Sequence, residues 1–289
     1  MSEKVLILGG DGLVGQEMMS LSRNSAFHAI STTRKASNNC GKILIDLLRN
    51  ETWQNLPNDI SHAIFLAGQT SVKLCEEKND INYHLNVVCT QKLIRNLLDK
   101  NIKVTFVSSN AVFDGRSGFY GVNDQREPVN KYGEYKKAVE DYFFDNDNFF
   151  IVRMTKIFES MEGLLNLWIS QLNRGEKIHA YGDVSISPIK LTKTCEALLK
   201  TTVACEEKIV HLSSKEEITY YDLAEVLVQV INGKSLGSSC SVEPINHLFF
   251  SGMSHNSLKP SSGTGDVAYD LFALEKDLKL FANKNILLA

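Results

Sequence analysis

Tyr132 and Lys136 stand four residues apart in Tyr132-Gly133-Glu134-Tyr135-Lys136. On a helix, that spacing puts both side chains on one face. An unperturbed phenol keeps its proton up to a pKa of about 10. An ammonium beside it favours the phenolate and pulls that value down. The pair is therefore a candidate proton donor or acceptor for a reacting oxygen. The same two residues also fit an ordinary solvated helix face, so the reading depends on what the rest of the chain builds around them.

Residues 4–8 (KVLIL) form a short continuous apolar run, as in a strand buried on both faces. Gly9, Gly12 and Gly15 follow in a GxxGxxG turn that includes Leu13 and Val14, and residues 16–21 read as a helix. Strand, glycine turn and helix make a phosphate-binding arrangement: the backbone can approach a pyrophosphate, and the helix N-terminus offers free N–H groups and a partial positive charge. A second strand over 27–33 ends in Thr32-Thr33-Arg34-Lys35. A carboxylate at that strand end would bind the 2′-hydroxyl of NAD, whereas an arginine would bind the 2′-phosphate of NADP. This strand end carries no acid, so Thr33, Arg34 and Lys35 favour NADP(H).

A third strand is expected over 42–48, with Asp46 placed to read an adenine amino group and Leu47 beside it. A fourth over 63–67 closes on Ala67 and Gly68, and a fifth over 104–107 leads into Ser108-Ser109-Asn110. A helix over 83–98 lies between them, and a sixth strand over 149–154 follows the helix of Tyr132. Alternating strands and helices predict an α/β fold, a Rossmann-type doubly wound parallel sheet with ligands at the carboxyl ends of its strands. Gly9, Arg34, Gly68 and Ser109 all fall at such ends.

Beyond the sixth strand the pattern changes. Residues 164–172, 192–202 and 220–231 read as helices and 208–212 as a strand, while 235–241 and 260–265 are Ser/Gly-rich loops in a tail with few strong elements. The expected division is a dinucleotide-binding domain over 1–160 plus about 185–215, and a smaller C-terminal substrate-binding lobe over 161–184 and 216–289.

Composition excludes several classes. The net charge of −3, with no dense basic run, gives no nucleic-acid surface. No apolar stretch is long enough to span a bilayer, and Met1-Ser2-Glu3-Lys4 leads straight into a strand rather than a signal peptide, so a cytoplasmic protein is expected. Six cysteines occur without a CxxC pair or zinc-ligand spacing, so reduced thiols and no metal are expected.

The residues in this order resemble the extended short-chain dehydrogenase/reductases, and within them the dTDP-4-dehydrorhamnose reductase group. The resemblance rests on the glycine turn at Gly9 to Gly15, Asp46, Ala67-Gly68 and Asn86-Val87. It continues in Ser108-Ser109-Asn110-Ala111-Val112-Phe113-Asp114-Gly115, similar to STDYVFDG, and in Pro128-Val129-Asn130-Lys131-Tyr132-Gly133-Glu134-Tyr135-Lys136, similar to PxNxYGxSK. It weakens after about residue 215. It implies a catalytic set in which Ser109 bonds the substrate oxygen, Tyr132 gives the proton, and Lys136 holds the nicotinamide ribose and lowers the tyrosine pKa. Asn86 would be a fourth member, supporting a helix and a water in the proton path. The implied activity is NADPH-dependent reduction of a 4-keto nucleotide sugar, and a homodimer is compatible with it.

Three positions depart from the group's pattern: Asn110 replaces the acid of STD, Val122 the glutamate of a YxExD loop, and Lys73 an aspartate. The C-terminal RPxxSxLD has its nearest counterpart at 258–263. Two alternatives follow from the same family. One is a nucleotide-sugar epimerase, against which the basic Thr32-Thr33-Arg34 strand end argues; the other is a non-catalytic NADP-binding subunit, as in the relatives that associate with methionine adenosyltransferase. A dehydratase would need an Asp-Glu pair where this chain has Asn110-Ala111. Arg34→Ala is expected to lower the preference for NADPH over NADH roughly tenfold, the scale of one lost charge-assisted phosphate contact. Dissociation constants for the two cofactors measure it, and an unchanged ratio removes Arg34 from the assignment.

Overall fold

A computed structural model describes residues 3–23, 28–35, 41–232, 241–246, 253–262, 264 and 271–286. The expected strand start at 27, the loop at 235–240, and residues 263 and 265 of the second loop lie outside them. The strands are β1 (Lys4–Leu8), β2 (His28–Thr33), β3 (Ile43–Leu44), β4 (His62–Phe65), β5 (Lys103–Ser109), β6 (Phe149–Met154), β7 (Ile178–Tyr181), β8 (Ser185–Ile186), β9 (Ile209–Leu212), β10 (Ile218–Thr219) and β11 (Val242–Ile245). Seven form one parallel sheet in the order β3-β2-β1-β4-β5-β6-β9. The order reverses at β1, the topological switch point where such sheets open a crevice.

Side chains alternate across this sheet, so each central strand feeds two cores. Leu6, Leu8, Phe65, Val104 and Phe106 face one side, against Leu93, Ile94 and Leu97 of α4 (Thr90–Asp99) and Val139 and Phe143 of α5 (Lys131–Phe143). Val5, Ile7, Ile64 and Val152 face the other, against Met18 of α1 (Leu13–Ser22) and Cys195, Leu198 and Leu199 of α7 (Leu191–Ala204). This is why the strands read as unbroken apolar runs.

Three expectations are corrected. The third strand is only Ile43–Leu44, because the Asp46 carboxylate accepts from the Leu48 N–H at 3.0 Å and from Arg49 Nε at 3.1 Å, which turns the chain. The helix expected over 83–98 is built of α3 (Asn79–Tyr83), a π-helical segment (His84–Cys89) and α4, preceded by the short α2 (Val72–Glu77). The tail is not poor in structure. Helix α9 (Leu271–Ile286) buries Leu274, Leu278 and Ala282 at four-residue spacing against α6 (Glu162–Asn173) and α8 (Tyr220–Asn232), and β11 pairs in parallel with β7. A third cluster of buried residues, including Phe158, Leu165, Trp168, Ile178, Leu223 and Leu227, completes that core.

One buried ion pair ties α5 to the sheet. Arg153 of β6 and Glu140 of α5 are 1% and 0% exposed at their side chains, with Arg153 Nη2 2.7 Å from Glu140 Oε2. Arg153 Nε also donates to Oε1 at 3.1 Å, and Nη1 donates to the Val122 carbonyl at 3.1 Å. Arg126 Nη1 donates to the same carboxylate at 2.9 Å. Removing one partner of a buried pair leaves an uncompensated charge. Glu140→Ala is therefore expected to destabilise the protein by about 3–5 kcal/mol, read from denaturant unfolding. A change below about 1 kcal/mol would show that the arginines find water instead.

Candidate active site

A cleft of about 1230 Å³ runs along the carboxyl ends of β1, β2, β4, β5 and β6 and under residues of α6, β7 and α8. At its first end lies the glycine turn. Gly9 has φ of +101°, and a Cβ there would come within 3.0 Å of the Ala67 backbone nitrogen, so the turn requires glycine. Gly12 is the N-cap of α1 and makes no side-chain cap hydrogen bond. The N–H groups of the first turn are therefore left to a ligand, which is the donor set a pyrophosphate needs.

At the other end lie Ser109, Tyr132 and Lys136. Asn130 caps α5 by accepting from the Gly133 N–H at 2.9 Å. Gly133 sits so close to the segment after β5 that a Cβ would be 1.9 Å from the Ala111 carbonyl oxygen. That close approach brings Tyr132 to the end of the cleft that Ser109 lines, near enough for the Ser109 hydroxyl to favour the phenolate. Ser109 Oγ is fixed from its own side, accepting from the Ala111 N–H at 3.2 Å and donating to Asn110 Oδ1 at 3.1 Å. Lys136, one turn along α5, donates to the Val107 carbonyl at 2.7 Å, and its ammonium is 4.5 Å from the Phe106 ring centroid.

The electrostatics differ from the sequence expectation. The Tyr132 phenol is pushed up to about 12, because its enclosure in the cleft outweighs the lowering by Ser109. Lys136 is drawn down to about 8 by burial, partly opposed by Glu140. Its ammonium is 5.8 Å from the Tyr132 ring centroid and is committed to the Val107 carbonyl, so the expected lowering of the phenol is not seen in this state. Near neutrality the site thus holds a protonated phenol beside a mostly protonated amine.

Asn86 does not line the cleft. Placed on the π-helical segment, it accepts from the Gln69 N–H through Oδ1 at 2.8 Å and donates through Nδ2 to the Gln69 carbonyl at 2.9 Å. It thereby clamps the loop after β4 that carries Ala67 and Gly68; π-turns recur at such sites. Gly9, Gly12, Leu13, Val14, Thr33, Arg34, Asp46, Leu47, Ala67, Gly68, Ser109, Tyr132 and Lys136 all line the cleft. Lys35 is exposed outside it, and the Asp46 carboxylate is occupied by its own turn.

Several lining residues carry no local sequence signal. Trp168 and Tyr220 come from the third core, Tyr181 from the end of β7, and Lys156 from just beyond β6. Asn256 accepts from Asn110 Nδ2 at 3.0 Å and donates to the Ser185 carbonyl at 2.9 Å, so the departure at Asn110 joins the sheet to the C-terminal part of the chain. Val122 contributes its carbonyl to Arg153, and Lys73 lies on the surface with Glu77 at 3.7 Å. Asp11, inside the glycine turn, also lines the cleft. Among the described residues no group of three or more His, Cys, Asp or Glu could hold a metal ion, and no helix is long and apolar enough to cross a membrane.

The family description "RmlD substrate binding domain" matches residues 3–254. The chain belongs to this family. Over 239 residues it is 23% identical to a probable low-salt glycan biosynthesis reductase of Haloferax volcanii, covering 78% of this chain and 80% of that protein. Over 149 residues it is 27% identical to methionine adenosyltransferase 2 subunit beta of Rattus norvegicus, covering 50% of this chain and 44% of that protein. Among solved structures, dTDP-4-dehydrorhamnose reductase from Bacillus anthracis in complex with NADP superposes with a TM-score of 0.81 at 18% identity, covering 98% of this chain and 99% of that one.

Lys136 gives a pH dependence with a definite sign. Its ammonium is present below about pH 8 and lost above it. Affinity for an anionic dinucleotide is expected to fall as pH rises through that value, measured by fluorescence titration from pH 6.5 to 9.5. The limb is expected to vanish in Lys136→Met; its persistence there would assign it to another group.

Proposed function

We propose that the chain is an NADPH-dependent reductase of a 4-keto nucleotide sugar, with Tyr132 as the proton donor. The observation that carries this reading is the Ser109–Tyr132 hydroxyl pair at one end of a cleft whose other end is a glycine cradle. The NADP held by the Bacillus anthracis reductase and the reductase name of the Haloferax volcanii protein support it. Bound NADPH would supply the hydride, with its pyrophosphate at the Gly12 N-cap and its 2′-phosphate near Arg34.

The chain's own groups would do the rest. As a carbonyl gains two electrons, negative charge grows on its oxygen, and donors fixed in advance stabilise that charge best. Ser109 is held by two neighbours of its own segment, and Tyr132 is placed by the capped start of α5. The phenol near 12 keeps its proton at neutral pH until the developing alkoxide, a stronger base, takes it. Lys136 would turn its ammonium from the Val107 carbonyl to the ribose hydroxyls and the phenol, which lowers the cost of the phenolate left behind. The aromatic and polar side chains of Trp168, Tyr181, Tyr220 and Asn256 would enclose the nucleotide sugar and exclude water.

The match to the methionine adenosyltransferase subunit keeps a non-catalytic reading in play, and the complete Ser109, Tyr132 and Lys136 set favours an enzyme over it. A panel of 4-keto nucleotide sugars with NADPH, followed by loss of nicotinamide absorbance, separates the two. Turnover on at least one member is expected, and silence across the panel with intact NADPH binding would favour the subunit reading. Tyr132→Phe is expected to lower kcat by at least about a hundredfold, the scale of a lost general acid, with cofactor affinity unchanged. Near-normal turnover in that variant would remove Tyr132 from the proton path.

A further inference from the structure

The end of β2 carries no acid in the sequence, but the fold supplies one from the glycine turn. Asp11 Oδ2 accepts the Thr33 hydroxyl at 2.7 Å, so a carboxylate stands beside the strand end that is expected to meet the adenosine ribose. Its other oxygen, Oδ1, is 2.7 Å from Lys42 Nζ. Lys42 also donates to the Gly10 carbonyl at 3.1 Å, which spans the gap between the stretch leading into β3 and the glycine turn. Asp11 lines the cleft, and the Asp11 and Lys42 side chains are 36% and 28% exposed at its edge. Burial would raise the Asp11 carboxyl, yet the hydrogen bonds from Lys42 and Thr33 outweigh it and hold the group below the usual carboxylate range.

The geometry points to the Asp11–Lys42 pair as the element that sets the choice between NADPH and NADH. This rests on the reading of the cleft as a dinucleotide site. A bare carboxylate at the ribose would repel a 2′-phosphate and bond the 2′-hydroxyl of NADH. Lys42 cancels that charge. An ammonium has three donors, and two are committed to Asp11 and Gly10, which leaves a third for a phosphate oxygen. Arg34, which lines the cleft at the same strand end, then meets the phosphate without opposition. Lys42 is thus a specificity residue acting in part through Asp11.

The test is a cycle of four proteins, wild type, Lys42→Met, Asp11→Asn and the double variant, with dissociation constants for NADPH and NADH by fluorescence titration at one ionic strength. Lys42→Met is expected to lower the NADPH-over-NADH ratio at least tenfold, mainly by weakening NADPH. Asp11→Asn, which keeps the side-chain shape, is expected to raise the ratio by weakening NADH. The double variant is expected to recover part of the preference lost in Lys42→Met. Equal weakening of both cofactors in Lys42→Met, or a double variant identical to it, would overturn the inference while leaving the dinucleotide reading intact. A wild-type protein that binds neither cofactor would overturn both. Thermal unfolding identifies a variant that has lost its fold, and Asp11→Asn then decides the question alone, because an unchanged ratio in it overturns the pair's role.

Discussion

The site depends on a charged contact that no substrate touches. Glu140 and Arg153 are buried between α5 and β6, and taking two charges out of water costs more than an isolated pair returns. Here the cost is offset by several hydrogen bonds: Arg153 reaches Glu140, Val122 and His211, and Arg126 adds a second guanidinium to the same carboxylate. Burial and Arg153 push His211 down to about 4, so it stays neutral and can accept from that guanidinium. The network fixes the rotation of α5 about its axis. Lys136 is one turn from Glu140 and Tyr132 is two, so the direction of both follows from that anchor.

The same enclosure acts oppositely on the two titrating groups. Removing water disfavours whichever form is charged, so it raises the phenol and lowers the amine. A protein that must hold a proton on oxygen and a cation within reach of it gains the first from burial alone. The second needs help, and the carboxylate of Glu140 supplies some. The structural anchor and the electrostatic support of the site are therefore one residue.

Much of this was legible in the chain. The apolar runs at 4–8 and 149–154 named their strands because both faces are buried, and the glycine spacing named the turn that lines one end of the cleft. The residues Ser109, Tyr132 and Lys136 converge as the resemblance implied. What failed to show was whatever depends on partners distant in sequence. Asp11 reads as a turn residue until β2 and Lys42 are placed beside it. Asn256 meets Asn110 across 146 positions, and the buried contacts of α9, Leu274, Leu278 and Ala282, are spaced among charged neighbours. The direction of the Tyr132 shift was missed because a sequence shows the lysine but not the dryness around both groups.

The third core has a history written into its order along the chain. Its walls come from α6 and β7, then from α8, β11 and α9, with β9 of the large sheet inserted between the two groups. During synthesis the sheet can close as far as β9 while α6 and β7 still lack their cover. The aromatic face of Trp168 and its neighbours then waits, exposed, for a segment about a hundred residues downstream. The half that would grip the dinucleotide is therefore able to assemble first on the ribosome, and the enclosure for a second molecule is finished last.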